Sequence, residues 1–361
     1  MKKNSIPASE IPGLTIGLDL SDRSFQFCEL NAQGEIVNEG QLKLDRATLR
    51  KYLAAQAKAR VALETGGQSA WVKQVIEELG HEAVVANARE LEAVTGRSHR
   101  TDHHDARQLA RLARVDRALL NPVQLRGTAE QVDLFVIRAR AVLVEARTML
   151  INFARGITKT LGHRLPASAS HRFVERVREA VPEALEPALT GLLEVLHEIT
   201  EQIEDYDAKI EALAVERYPE TRWLKQAPGV GTLTALTFLL TVGEPGRFEH
   251  SRDVGPFLGL VPRRRQSGEQ DPHLRISKCG DGLLRRLLVS AAHYVLGPFG
   301  PPCAMREHGQ RLTGTGSARE KKRAVVAVAR KLAVLLLSLW KHGTDYEPRV
   351  TVSPALVMTL A

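Results

Sequence analysis

LTIGLDLSDRSFQFCELNAQGEIVNEGQL, residues 14–42, is the stretch that decides the fold. LTIGLDLS reads as a strand, and SFQFCELN and EIVNEGQL read as two more. The last two runs meet at Ala-Gln-Gly, which reads as a hairpin turn. Working outward, RATLRKYLAAQA reads as a helix and ARVALET as an apolar strand ending at Glu64. SAWVKQVIEELG reads as a helix closed by Gly80, HEAVVAN as another strand, and RTDHHDARQLARLA opens a further helix.

The order β-β-β-α-β-α-β-α is that of a ribonuclease-H-like layer fold, predicted for residues 14–125. Beyond it the pattern changes. Val132, Phe135, Ala139, Val142, Ala146, Met149 and Phe153 recur at alternating spacings of three and four. Leu185, Leu189, Leu192, Leu196, Ile199, Ile203, Tyr206, Ile210 and Leu213 do the same. This is a heptad signature. LPASAS between the two runs supplies a turn. The first run is rich in Arg and the second in Glu and Asp, so residues 126–220 are predicted to form an antiparallel coiled-coil arm, with dimerisation through it as a further expectation. Residues 221–345 are predicted to form a mostly helical third region. There LKQAPGVGTLTALTFLL resembles a helix-hairpin-helix element, whose Gly229 and Gly231 could expose backbone N–H groups to a phosphate. The alternative is a packing turn. The fold class is thus α/β plus α, in three parts.

The 361 residues carry a formal net charge of +8 and a pI of about 9.5. That balance favours a polyanionic partner such as nucleic acid. Cys28, Cys279 and Cys303 are odd in number, far apart and without CxxC spacing, which fits a reducing cytosol and neither a disulfide framework nor a zinc ribbon. MKKNSIPASEIPG lacks the apolar run of a signal peptide, and AVLLLSLW is too short to span a bilayer, so a cytoplasmic protein without a membrane partner is expected.

Asp19 lies within the first strand and Glu64 at the end of the fourth. Asp102 and Asp105 lie near the start of a helix at i and i+3, on one face. In a ribonuclease-H-like sheet, four such carboxylates converge at one edge. Hard oxygen ligands suit Mg²⁺, with Mn²⁺ possible, and ions there would polarise a scissile phosphate. Each acid alone reads equally well as a solvated or capping residue. His103 and His104 point in different directions on a helix and complete no zinc tetrahedron.

GLVPRRRQSGEQDPHLRISKCGDGLLRRLL is the most informative stretch of the third region. Ser267 follows Arg263, Arg264 and Arg265, and Arg275 and Lys278 come after it. A serine hydroxyl becomes a useful nucleophile when the charge it generates is stabilised, and clustered guanidinium groups hold a phosphate. A plain surface turn is the alternative reading. Ser277 is the main competitor as nucleophile, and Cys279 a weaker one.

Together, GLDLS, ALETGG, TDHHDARQLARL, APGVG and the Ser267 stretch resemble the DEDD-type transposases of bacterial insertion sequences. These are serine transposases with a RuvC-like domain, known as bridge-RNA-guided recombinases. The resemblance covers roughly residues 14–342. It implies a RuvC-like domain, a coiled-coil arm and a C-terminal transposase domain. It also implies that Asp19, Glu64, Asp102 and Asp105 bind metal, and that Ser267 links covalently to a DNA 5′-phosphate. The implied partners are donor and target DNA, a structured guide RNA, and further copies of the chain as a dimer or tetramer. The competing readings are a structure-selective endonuclease that activates water with the carboxylates alone, and a non-catalytic nucleic-acid-binding protein.

Overall fold

The three runs of residues 14–42 form β1 (Thr15–Leu20), β2 (Ser24–Leu30) and β3 (Ile36–Lys43), an antiparallel meander. Its second turn closes as the composition dictates. Gly34 takes φ 86°, and the Asn31 side-chain carbonyl accepts from the backbone N–H groups of Gln33 and Glu35, each at 3.0 Å. The computed structural model describes residues 13–88, 102–264 and 274–348, with the side chains of Asp102 and His103 outside that description. The chain divides into two compact units, one up to Thr128 and one from Ala129.

In the first unit, β4 (Arg60–Glu64) pairs parallel to β1, and β5 (Glu82–Ala86) parallel to β4. The sheet order is β3-β2-β1-β4-β5. Parallel neighbours need long crossovers. Helix α1 (Arg46–Ala54) lies on the way from β3 to β4, and α2 (Ser69–Glu78) on the way from β4 to β5. Alternate strand residues face opposite layers. Ile16, Leu18, Val61 and Leu63 pack with Leu49, Leu53, Val72 and Ile76 of α1 and α2. On the other face, α3 (Asp102–Val115) covers the sheet. Its Leu109 and Ala113 pack with Ala62, Val84 and Ala86, and its Ala106 and Ala110 with Cys28 and Leu30. The outer edge of β5 is taken up by the following chain: Val123 N–H donates to Val85 at 2.8 Å, and Asn87 N–H to Leu120 at 3.0 Å.

The second unit is mostly helical. α4 (Thr128–Thr160) and α5 (Glu186–Glu216) are 33 and 31 residues long. They run antiparallel, because Leu134 and Ile137 pack near Ile210 and Ala214, while Ile151 and Ala154 pack near Leu189, Leu193 and Leu196. Arg140 holds Asp207 across the pair with Nη2–Oδ2 at 2.9 Å, so opposite charge does join the helices there. The heptad line of α5 faces inward as its spacing suggests. That of α4 does not: Val132, Phe135, Val142, Met149 and Phe153 are exposed, Met149 by 64%. α4 carries two apolar lines. Both satisfy a 3-4 alternation, and packing against α5 selects the one through Leu134, Ile137, Ile151 and Ala154.

The remainder packs around one core. α6 (Thr232–Val242), α7 (Gly282–Leu296), α8 (Ala304–Leu312) and α9 (Ala318–His342) bring together Phe238, Leu239, Leu288, Val295, Met305, Val328, Leu332 and Leu336. Among the described residues, no helix is long and apolar enough to cross a membrane.

Candidate active site

The β1–β4 register runs Thr15↔Arg60, Ile16↔Val61, Gly17↔Ala62, Leu18↔Leu63. Continued by one residue, it sets Asp19 beside Glu64 on adjacent parallel strands, which lie about 4.8 Å apart. Ile16 and Leu18 face α1 and α2, so Gly17 and Asp19 belong to the α3 side of the sheet. Ala62 packs with Leu109 and Ala113 of α3, so Glu64 belongs to that side too. Both carboxylates therefore stand at the C-terminal ends of their strands, under the helix that begins at Asp102.

Several contacts hold that helix in place. Gly17 offers no side chain, and the α3 backbone passes directly over it, against Ala106 and Ala110. Asp105 immediately precedes Ala106 and is half-buried. Farther along, Arg107 grips Glu39 on β3 with two nitrogens at 2.7 and 2.6 Å. That pairing raises the Arg107 pKa above the usual guanidinium value. At the far end, buried Arg60 donates to the Ala113 carbonyl at 3.0 Å and to Glu82 at 2.8 Å. Asp102 is the first residue of the helix, one turn before Ala106. Among the described residues, no group of three or more His, Cys, Asp or Glu side chains is gathered closely enough to hold a metal ion. The donor set, all hard carboxylate oxygens, fits Mg²⁺ or Mn²⁺ in chemistry.

The basic loop of the second unit is flanked by a paired stem. Pro262 and Ile276 form an antiparallel bridge. Ser277 N–H donates to Val261 at 2.8 Å, and Arg263 N–H to Arg275 at 3.0 Å. The stem needs two left-handed glycines, Gly259 at φ 66° and Gly280 at φ 73°. A Cβ on Gly280 would lie 2.2 Å from the Phe257 carbonyl oxygen. Arg263, Arg264, Arg275 and Lys278 are exposed. Ser267 and Arg265 lie outside the described residues. Of the competing nucleophiles, Ser277 is half-buried in the stem and Cys279 is an exposed free thiol.

Two family models of known proteins match separate stretches of the chain. The model of the Transposase IS116/IS110/IS902 family matches residues 221–305, and a second transposase model, of the DEDD IS110 type, matches residues 16–161. A probable family 20 transposase of Pseudomonas aeruginosa is 30% identical over 345 residues, 92% of this chain and 98% of its own. The chain belongs to the IS116/IS110/IS902 transposase family. It is also similar to the transposase for insertion sequence element IS1111A of Coxiella burnetii, 29% identical over 92% of this chain and 91% of that one. The transposase for IS1328 of Yersinia enterocolitica is 28% identical over 78% and 84%.

In this insertion-sequence transposase, the glycine turn before α6 has a packing reason to exist. A Cβ on Gly229, at φ 77°, would lie 2.9 Å from the Ala291 carbonyl oxygen of α7. At the adjoining N-terminus of α6, Thr232 donates to the Glu211 carboxylate at 2.9 Å. A phosphate bound at Gly229 and Gly231 would have that acid as a neighbour. Some arginines are also committed elsewhere. Arg285 donates to the carbonyls of Leu258 and Cys279, at 3.0 and 2.8 Å, and Arg286 pairs with Glu145 at 2.5 Å. Sequence reading passed over Arg319, Lys322, Arg323 and Arg330 of α9, which line a groove beside the loop stem. The available signal was their recurrence on one helix face.

Proposed function

We propose that this transposase cuts and rejoins DNA by strand exchange, with Asp19, Glu64, Asp102 and Asp105 holding Mg²⁺ or Mn²⁺ and Ser267 acting as nucleophile. The observation that carries the reading is the placement of Asp19 and Glu64 at neighbouring strand ends, beneath the start of the helix that bears the other two aspartates. The sheet order β3-β2-β1-β4-β5, antiparallel in its first three strands and parallel in the rest, supports a RuvC-like, ribonuclease-H-like assignment. The regions 14–125, 126–220 and 221–345 then serve as metal domain, arm and nucleophile domain.

A divalent ion bound by the carboxylates would polarise the scissile phosphate. The chain's own groups do the rest. The Ser267 oxygen bonds to phosphorus as its proton leaves, and the bond from phosphorus to the 3′-oxygen breaks. The phosphate stays on the 5′ side as a serine ester, and the departing 3′-oxygen takes up a proton. Attack by the 3′-hydroxyl of another strand then reverses the exchange and releases the serine. The number of phosphodiester bonds is conserved, so no external energy source is needed. Arg263, Arg264, Arg265, Arg275 and Lys278 stabilise the charge on the phosphate oxygens.

Sequence choice is assigned to a structured guide RNA, read by base pairing, in a cytosolic protein of net positive charge. The exposed heptad line of α4 supports self-association, since Val132, Phe135, Val142, Met149 and Phe153 stand open at coiled-coil spacing.

The test is a denaturing-gel assay for covalent protein–DNA adducts with labelled donor DNA, Mg²⁺ and the candidate RNA. Wild type gives an adduct, and Ser267→Ala and Asp105→Ala give none. DNA cleavage that persists in Ser267→Ala without an adduct would replace this reading with a water-activating nuclease.

A further inference from the structure

The second unit carries a groove of about 1890 Å³ between α9 and the stem of the basic loop. Small-molecule pockets span roughly 300–1,000 Å³, so this space fits a length of polymer better than a metabolite. Its floor is apolar, formed by Leu260, Ile276, Val326, Val334 and Leu335. Its walls are cationic. Eight lining residues are Arg or Lys, and two, Asp345 and Glu347, are acidic.

One wall is a helix face. Ala324, Val328, Leu332 and Leu336 of α9 are buried in the core. Arg319, Lys322, Arg323 and Arg330 all lie on the groove side, and Arg319 and Arg323 are one helical turn apart. From Arg319 to Arg330 this rail is about 16 Å long. The opposite wall holds Arg275 and Lys278 of the stem. Three arginines elsewhere in the unit are paired with acids, in Arg217–Asp133, Arg138–Asp281 and Arg286–Glu145. His308 also lines the groove. Its pKa is held below the ordinary imidazole value, first by burial and then by Lys331 and Arg311.

A cationic rail alone accommodates any phosphate backbone. The apolar floor between two such rails is more selective. A duplex turns its base faces inward and leaves Val326, Val334 and Leu335 without a partner. An unpaired strand offers phosphates to the walls and base faces to the floor. Pro262 and Leu274, at the two ends of the loop that carries Ser267, also line the groove. We propose that the groove binds an unpaired DNA strand next to the Ser267 loop, with α9 and the stem gripping its phosphates. The choice of DNA rests on the strand-exchange reading above.

The experiment is fluorescence anisotropy on the full chain without divalent ions. A labelled 20-nucleotide single strand, the matching duplex and the matching single-stranded RNA are each titrated across a range of KCl. Wild type is compared with Arg319→Ala/Lys322→Ala/Arg323→Ala and, on the opposite wall, with Arg275→Ala/Lys278→Ala, after melting curves show each variant folded. The triple variant should bind the DNA single strand about tenfold more weakly, with the logarithmic salt slope reduced by about 2, from roughly 0.7 per lost phosphate contact. Duplex affinity should change less. Unchanged single-strand affinity and slope in both variants would overturn the proposal, as would a larger loss for the duplex or a loss confined to RNA. This readout is independent of catalysis. Strand transfer by Ser267→Ala would sink the proposed chemistry without touching it, and unchanged binding by the groove variants would sink the groove alone.

Discussion

Gly17 and Ala106 leave no space between them: a Cβ on Gly17 would sit 2.0 Å from the Ala106 carbonyl oxygen and 2.6 Å from the Ala110 nitrogen. Neither obstacle is a flexible side chain, so a substitution must move α3 or β1. Gly17→Ala should lower stability by about 1–3 kcal/mol, the usual cost of overpacking, and Gly17→Val should cost more. Urea denaturation gives the stability change directly. Because Asp105 travels with Ala106, strand transfer should fall further than the folded fraction does. An unchanged denaturation midpoint would contradict the close approach.

The loop stem has a comparable weak point. Gly259 sits at φ 66°, and a Cβ there would lie 2.3 Å from the Cys279 nitrogen. Gly259→Ala adds the left-handed penalty of about 1–2 kcal/mol to that clash. The stem should open, and trypsin should cut at Arg263 or Arg264 several times faster than in wild type. Equal cutting rates would mean that the ladder between Val261 and Ser277 survives.

Charge placed on the outward face of α4 tests self-association. Val142 and Met149 are 63% and 64% exposed, so Val142→Glu/Met149→Glu disturbs little of the core within the chain. Helical content by circular dichroism should hold, while sedimentation velocity should show a drop in mass towards the monomer. An oligomer of unaltered mass would assign its contacts to another surface.

His308 gives a pH signature. Its pKa lies below the ordinary imidazole value because of burial and then the nearby Lys331 and Arg311 charges. Since the folded pKa is depressed, the unfolded chain binds the proton more readily. Stability from this residue is full above the unfolded value of about 6.5 and declines as pH falls through the folded pKa. Lys331→Met removes a like charge, so His308 should titrate at higher pH, as followed by its ring-proton NMR resonances. A titration shifted the other way would show that the Lys331 charge does not act on His308.

Much of the first unit is legible in the sequence because a period-2 pattern survives wherever one sheet face is buried. The runs at 14–42 give three strands, and the apolar run ending at Glu64 gives the strand beside Asp19. Less can be read from Gly17, because a glycine in a strand could mark a bulge, a bend or a close approach, and only the helix above it decides. The 3-4 spacing of α4 is present twice, and the choice of buried line is made by α5. Arg275 and Arg285 are alike in sequence. One stands exposed on the stem, while the other holds the carbonyls of Leu258 and Cys279. The cations of α9 lie outside any recognisable motif, and only their neighbours make them a wall.

The two margins of the β-sheet differ in what they offer to other chains. At β5, the backbone groups of Val85 and Asn87 are already taken by residues Val123 and Leu120. At β3, the last strand of the sheet among the described residues, no further strand pairs on the outer side, and such an edge is a template on which a second chain can extend the sheet. Glu39, with its Arg107 partner, and Lys43 crowd that edge with charge. An edge crowded with charge in this way is a poor template for a second copy, so extension of the sheet from one transposase molecule to the next is disfavoured.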